Sequence, residues 1–210
     1  MAEAYFGRLL TAMVTPFNAD GSVNCEAAAD FAEWLLANGS DGLVVEGSTG
    51  EAATMFMDEK IAVLKAVVER VNGRAPVIVG AGTNCTASTL ELINAVEACG
   101  VDGLLVVGPY YNKPTQEGYY QHFAAVAKST NLPIIVYNVP GRTGVNMQVE
   151  TTIRLAREFD NIIAIKEACG NMDQINDIIK RKPKEFMVLS GDDGIAYPLI
   201  TMGAQGVISV

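Results

Sequence analysis

The sequence predicts a (β/α)8 barrel, and three observations carry that prediction. Short apolar segments alternate with amphipathic helical ones, giving eight strands and seven helices in units of about 25 to 30 residues. The strands read as continuous apolar runs, the pattern of parallel strands covered on both faces. A local unit also recurs: N-G-S-D-G-L-V-V-E-G, C-G-V-D-G-L-L-V-V-G and M-G-A-Q-G-V-I-S-V. Each has a helix-ending glycine, then a glycine three residues on that opens an apolar strand. A doubly wound open sheet is the rival topology. The echo on strands two, four and eight favours one repeated unit and therefore the barrel.

The elements follow in order. Leu9 to Val14 is a short apolar strand, followed by the turn-rich T-P-F-N-A-D-G. Asn24 can cap a helix from about Cys25 to Ala37, because its side-chain oxygen can accept from the unpaired N–H groups of a first turn. Gly39 ends that helix. Gly42 to Glu46 is the second strand, and Asp58 can cap a helix that stops at Gly73. Val77 to Gly80 is the third strand, followed by a helix from Thr86 to Gly100. Gly103 to Val107 is the fourth, and Thr115 can cap a helix to about Ser129. Ile134 to Tyr137 is the fifth, with a helix from roughly Gln148 to Glu158. The sixth runs from Ile162 to Ile165 and delivers Lys166; Asn171 can then cap a helix to about Lys180. Met187 to Ser190 is the seventh, and a helix from about Gly194 to Met202 leads to the eighth, Gly206 to Val210. The sequence stops on that strand, so the expectation is a single barrel domain, 1–210, without the helix that would cover strand eight.

Composition narrows the class. With 50% hydrophobic and 19% charged residues the chain is ordinary globular material. A net charge of -9 and the lack of a basic cluster argue against nucleic acid as a partner. No 18-residue uncharged apolar segment suggests a membrane span, and Met1 to Leu10, with Glu3 and Arg8, does not read as a leader. Cys25, Cys85, Cys99 and Cys169 form no C-x-x-C pair, which argues against a zinc cage and fits reduced thiols in a cytoplasmic protein. His122, the one histidine, falls in a helical pattern where a surface or packing role is expected rather than catalysis.

Barrel enzymes work at the C-terminal ends of their strands. There, strand two is followed by G-S-T-G-E (Gly47 to Glu51), with hydroxyls on Ser48 and Thr49 and backbone N–H groups able to hold a small anion. After strand four comes G-P-Y-Y-N-K-P-T, with Tyr110 and Tyr111. Strand five ends at Tyr137 and runs into Y-N-V-P-G-R-T-G, where Arg142 could fork a carboxylate. Strand seven runs into S-G-D-D-G, whose aspartates can cap the next helix. Each has a bland alternative, and Lys166 on its own fits a lysine snorkelling to solvent. Together they place an amine, phenols, hydroxyls and a guanidinium at one end of one barrel. That set suits imine chemistry on a 2-oxo acid: a desolvated amine attacks the ketone, and a hydroxyl–phenol relay moves the protons. Backbone amides hold the carboxylate.

The motifs G-S-T-G-E, Y-Y-N-K-P-T-Q-E-G, Y-N-V-P-G-R-T-G, I-K-E-A, S-G-D-D and G-V-I-S-V, in this order, resemble dihydrodipicolinate synthases, of the pyruvate-dependent lyase superfamily that includes N-acetylneuraminate lyase. The resemblance covers the whole chain. It implies a TIM barrel with a further C-terminal helical domain, of which the sequence lacks both the last barrel helix and the helical domain. It also implies condensation of pyruvate with L-aspartate 4-semialdehyde toward diaminopimelate and lysine, with no metal or organic cofactor. By resemblance, Lys166 is the Schiff-base lysine, Tyr137 the general acid/base and Ser48, in place of the usual threonine, a relay hydroxyl. Tyr111 is the relay tyrosine that reaches into a neighbouring subunit's site, which implies a homodimer or homotetramer. Thr49 holds the pyruvate carboxylate, Arg142 receives that of the semialdehyde, and Gly191 and Ile208 line the pocket through their backbone. Lysine-inhibited members carry histidines and a glutamate where this chain has Met57, Lys60 and Ser88, so the resemblance implies weak or absent lysine feedback. Another pyruvate aldolase, for sialic acid or 2-keto-3-deoxy sugar acids, and a weakly active structural fragment remain the alternatives.

Overall fold

Eight parallel strands close on themselves in sequence order: β1 (Leu9–Ala12), β2 (Gly42–Val45), β3 (Val77–Gly80), β4 (Gly103–Val107), β5 (Ile134–Asn138), β6 (Ile162–Glu167), β7 (Met187–Ser190) and β8 (Gly206–Ser209). The computed structural model describes residues 5–210; residues 1–4, part of the stretch read for a leader, lie outside it. Closure comes from β1 pairing with β8, Leu10 opposite Ile208, and this excludes the open sheet. Around the barrel lie α1 (Cys25–Ala37), α2 (Met57–Val71), α3 (Thr86–Glu97), α4 (Gln116–Ser129), α5 (Pro140–Thr143), α6 (Val149–Glu158), α7 (Met172–Arg181) and α8 (Ala196–Met202). No helix follows β8 among the described residues, and the outward side chains of β8, Val207 and Ser209, are only half-buried.

The recurring glycines have two separate jobs. Gly39, Gly100 and Gly203 take φ of 103°, 80° and 112°, the left-handed region where a side chain is strained. Gly42, Gly103 and Gly206 instead open their strands where there is no room. A Cβ would lie 2.8 Å from the Pro76 ring, 2.5 Å from the Phe6 ring and 2.3 Å from the Arg8 carbonyl oxygen, respectively.

Side chains alternate across the sheet with period two. Leu10, Val44, Ile78, Leu105, Ile135, Leu189 and Ile208 fill the barrel interior. Leu43, Val79, Leu104, Val136 and Val188 face the helices. The β5–β6 pair breaks this alternation at one point. Ile134 pairs with Ile162, but Ile135 pairs with Ala164, so Ile163 is an extra residue, a β-bulge. A one-residue slip turns every later side chain to the opposite face. The bulge therefore points Ala164 and Lys166 into the barrel and Ile165 and Glu167 outward. Of the apolar run Ile162 to Ile165, the outer members pack against helices, and Ala164 with Ile163 forms the wall beneath Lys166.

Several expected boundaries shift. β1 ends at Ala12, not Val14, and β5 and β6 extend to Asn138 and Glu167. The residue capping α2 is Phe56 rather than Asp58: its N–H donates to the Glu59 carboxylate at 2.8 Å, and that helix closes on left-handed Asn72 rather than Gly73. Asn24, Thr115 and Asn171 do cap α1, α4 and α7 through their side-chain oxygens. His122 is buried, its Nδ1 2.9 Å from the Thr86 hydroxyl, so of the surface and packing roles open to it the packing one holds.

Candidate active site

The C-terminal mouth of the barrel holds a cavity of about 390 Å³ lined by Ser48, Thr49, Tyr137, Arg142, Lys166 and Gly191. A second lobe of about 270 Å³ shares Ser48, Tyr137 and Arg142 and extends to Glu46, Lys60 and Thr83. Six of the eight side chains or backbones expected from sequence therefore meet in one place.

Lys166 is held by its register. It pairs with Tyr137 across β5–β6, both facing inward, and its Nζ lies 4.6 Å from the centre of the Tyr137 ring. Only 5% of Lys166 is exposed. Burial pushes its amine down from 10.5 to about 8; the Asp193 carboxylate partly restores it, and the Arg142 guanidinium lowers it further. At pH 7 about a tenth of the amine is then neutral, the nucleophilic form, against well under ~0.1% at its ordinary value. Gly191 makes space for this side chain, since a Cβ there would lie 2.8 Å from Lys166 Cε.

Tyr137 is 7% exposed. Burial raises its phenol pKa, while Arg142 and the Ser48 hydroxyl both favour the phenolate and pull the other way. The phenol thus has the Ser48 hydroxyl and the Lys166 amine in its neighbourhood, the groups a proton relay would need. Ser48 reaches it because the chain turns sharply after β2, where Glu46 adopts φ 57°. Gly80 permits that turn, as a Cβ at Gly80 would lie 2.0 Å from the Glu46 carbonyl oxygen. Arg142 lies on α5, a single helical turn with Pro140 at its start and left-handed Gly144 at its end.

Two expected residues stand apart. Tyr111 is 87% exposed and lines neither lobe; its backbone has φ 70° and its N–H donates to the Thr143 carbonyl at 3.3 Å. Ile208 is sealed in the barrel interior, and Val210 lines the mouth in its stead.

Three features were not read from sequence. Asp193, expected only to cap, is the anion acting on Lys166 and accepts from the Ser209 hydroxyl at 3.0 Å. The Glu46 carboxyl is buried with neither oxygen hydrogen-bonded, and burial raises its pKa to about 8 against a weaker pull from Lys60. Asn138 and Glu167, next in line after Tyr137 and Lys166, form a buried hydrogen-bonded group behind the site. Their only sequence signal was two polar residues continuing apolar strands.

The barrel and its lysine-bearing mouth define an α/β enzyme fold that works from its strand ends. The chain belongs to the dihydrodipicolinate synthetase family, whose model matches residues 5–210. It is 55% identical over 97% of its length to 4-hydroxy-tetrahydrodipicolinate synthase 1 of Halalkalibacterium halodurans, covering 69% of that protein. It is 53% identical over its full length to the 4-hydroxy-tetrahydrodipicolinate synthase of Parabacteroides distasonis, covering 71%. The crystal structure of the dihydrodipicolinate synthase of Cyanidioschyzon merolae with lysine bound superposes with a TM-score of 0.97 at 44% identity, over 99% of this chain and 71% of that one.

Proposed function

We infer that the chain is a Schiff-base lyase of the 4-hydroxy-tetrahydrodipicolinate synthase type, condensing pyruvate with L-aspartate 4-semialdehyde in diaminopimelate and lysine biosynthesis. The observation that carries this is the buried Lys166 amine, its pKa lowered to about 8 and its Nζ 4.6 Å from the centre of the Tyr137 ring, in the cavity at the barrel mouth. The amine adds to the pyruvate ketone carbon; the hydroxyl of the carbinolamine leaves as water with a proton supplied through Tyr137 and Ser48. The imine itself withdraws electrons from the pyruvate methyl, so no metal or organic cofactor is needed. Loss of a methyl proton leaves an enamine carbon that attacks the aldehyde. Thr49 and the adjoining N–H groups hold the pyruvate carboxylate. Arg142, shared by both lobes, meets the carboxylate of the incoming semialdehyde. Exposed Tyr111 serves a second copy of the chain, so the working form is a homo-oligomer. Arg142 favours a short acidic acceptor over a sugar acid.

The test is borohydride reduction in the presence of pyruvate, followed by peptide mass spectrometry. A single pyruvyl adduct on Lys166 is expected, with a trapping rate that rises as pH passes about 8 and the amine loses its proton. Folded protein with no adduct at Lys166 would overturn the reading. Turnover with L-aspartate 4-semialdehyde but not with N-acetylmannosamine would separate the synthase from the sialic acid lyases.

A further inference from the structure

Directly behind the reacting pair lies a second pair, one residue on in each strand. Asn138 stands opposite Glu167 across β5–β6, next to Tyr137 opposite Lys166. Period two turns this second pair outward, where it is 2% and 0% exposed. Asn138 Nδ2 donates to Glu167 Oε1 at 2.9 Å and to Asn146 Oδ1 at 2.8 Å, and Asn138 Oδ1 accepts from the Met147 N–H at 3.1 Å. Gln174 Nε2, from α7, donates to the same Glu167 oxygen at 3.3 Å and to the Met147 carbonyl at 3.1 Å. The other Glu167 oxygen accepts from the Cys169 N–H at 3.3 Å. Asn146 closes the ring by donating to Gln174 Oε1 at 2.7 Å.

These bonds join four things: the end of β5, the end of β6, helix α7 and the segment after α5, the helix that carries Arg142. They also hold the register at the place where it is least secure. The bulge at Ile163 sets which face Lys166 occupies, and an apolar strand beside a bulge can slip without changing its burial greatly. Asn138 and Glu167 fit each other in one register only. We propose that Asn138 and Glu167 are positioning residues for the imine chemistry, a buried bracket that fixes the Lys166 amine against the Tyr137 phenol through the shared β5–β6 register.

The proposal rests on the lyase reading above, and the experiment separates the two. Timed borohydride quenching gives the rate of pyruvate imine formation in the parent, Glu167→Ala, Asn138→Ala and Glu167→Gln, alongside kcat, the pyruvate KM and melting temperature. The carboxylate of pyruvate is held from the β2 side of the mouth, away from the bracket. Glu167→Ala and Asn138→Ala should therefore slow imine formation and kcat at least tenfold while the pyruvate KM stays within about threefold. Glu167→Gln keeps an acceptor for Asn138 and Gln174 and gives up only the one for the Cys169 N–H, so it should be clearly faster than Glu167→Ala. The double alanine variant should be no slower than the worse single one, as groups acting as a unit are not additive. Variants that melt earlier but form the imine at the parent rate would overturn the bracket and leave the lyase reading intact. A parent that forms no imine would remove both. If Glu167→Ala does not fold, Asn138→Ala, which leaves Glu167 bonded to Gln174 and Cys169, gives the same decision.

Discussion

Two buried ionisable residues, Lys166 and Glu46, share the mouth of the barrel, and each is displaced by burial toward its neutral form. For Lys166 the displacement serves the reaction, because the neutral amine is the nucleophile. Glu46 has no such use in the condensation, and its carboxyl is left without a hydrogen bond. Its folded pKa of about 8 lies above the ordinary 4.5, so the folded state holds a proton that the unfolded chain has already released between those values. Stability from this group is complete below pH about 4.5 and falls as pH rises toward about 8. Glu46→Gln cannot ionise, so it should melt higher than the parent at pH 8 and show a flatter decline between pH 5 and pH 8. The gain is on the order of a few kcal/mol at most, since Lys60 offsets part of the cost. Thermal melts across that range check it; equal slopes in both proteins would show that Glu46 finds a partner in solution.

At the scale of elements, the active site depends on where strands stop and how closely the following turns approach. Gly191 shows this most simply. It follows β7, its N–H donates to the Glu167 carbonyl at 2.7 Å, and its missing Cβ leaves the channel in which the Lys166 stem lies. Gly191→Ala puts a methyl 2.8 Å from Lys166 Cε, a contact that forces the lysine stem to move. The expected result is a folded protein with a melting temperature near the parent's and imine formation slowed by about tenfold or more. Parent-like trapping would mean that the stem has room elsewhere. This element was legible in sequence only in part. Lys166 and Tyr137 stood out because each directly follows an apolar run whose end in a barrel is the functional face, and Ser48 because it lies in the glycine-flanked turn after such a strand. The glycine repeats likewise gave the strand openings, since a left-handed turn and a crowded strand start each demand glycine. The bulge at Ile163 did not show, because one extra apolar residue in an apolar strand changes no pattern. Asn138 and Glu167 were hidden for a related reason: a polar residue past the end of a run looks the same whether it faces solvent or a buried partner. The helix carrying Arg142 spans four residues, too few for any periodicity.

For the whole molecule, Tyr111 is the one expected side chain that the single chain does not bring to the site. Tyr111 sits on a left-handed backbone position, 87% exposed, while its neighbour Tyr110 lines the second lobe. A large aromatic held outward beside the cavity mouth is suited to a neighbouring copy. If Tyr111 of one copy completes the site built on Lys166 of another, two inactive variants should repair each other. Lys166→Ala retains Tyr111 but has no amine; Tyr111→Phe retains the amine but donates no phenolic proton. In a hybrid dimer one of the two sites has Lys166 from the second variant and Tyr111 from the first, and so is intact. Random reassociation makes about half the dimers hybrids, so an equal mixture should regain up to about a quarter of parent activity. Mixing without any gain, with hybrid dimers shown by native mass spectrometry, would place Tyr111 in service of its own chain. A monomer in the same spectrum would instead require Tyr111 to swing inward, and its high exposure leaves it free to be tested by the same substitution in dilute protein.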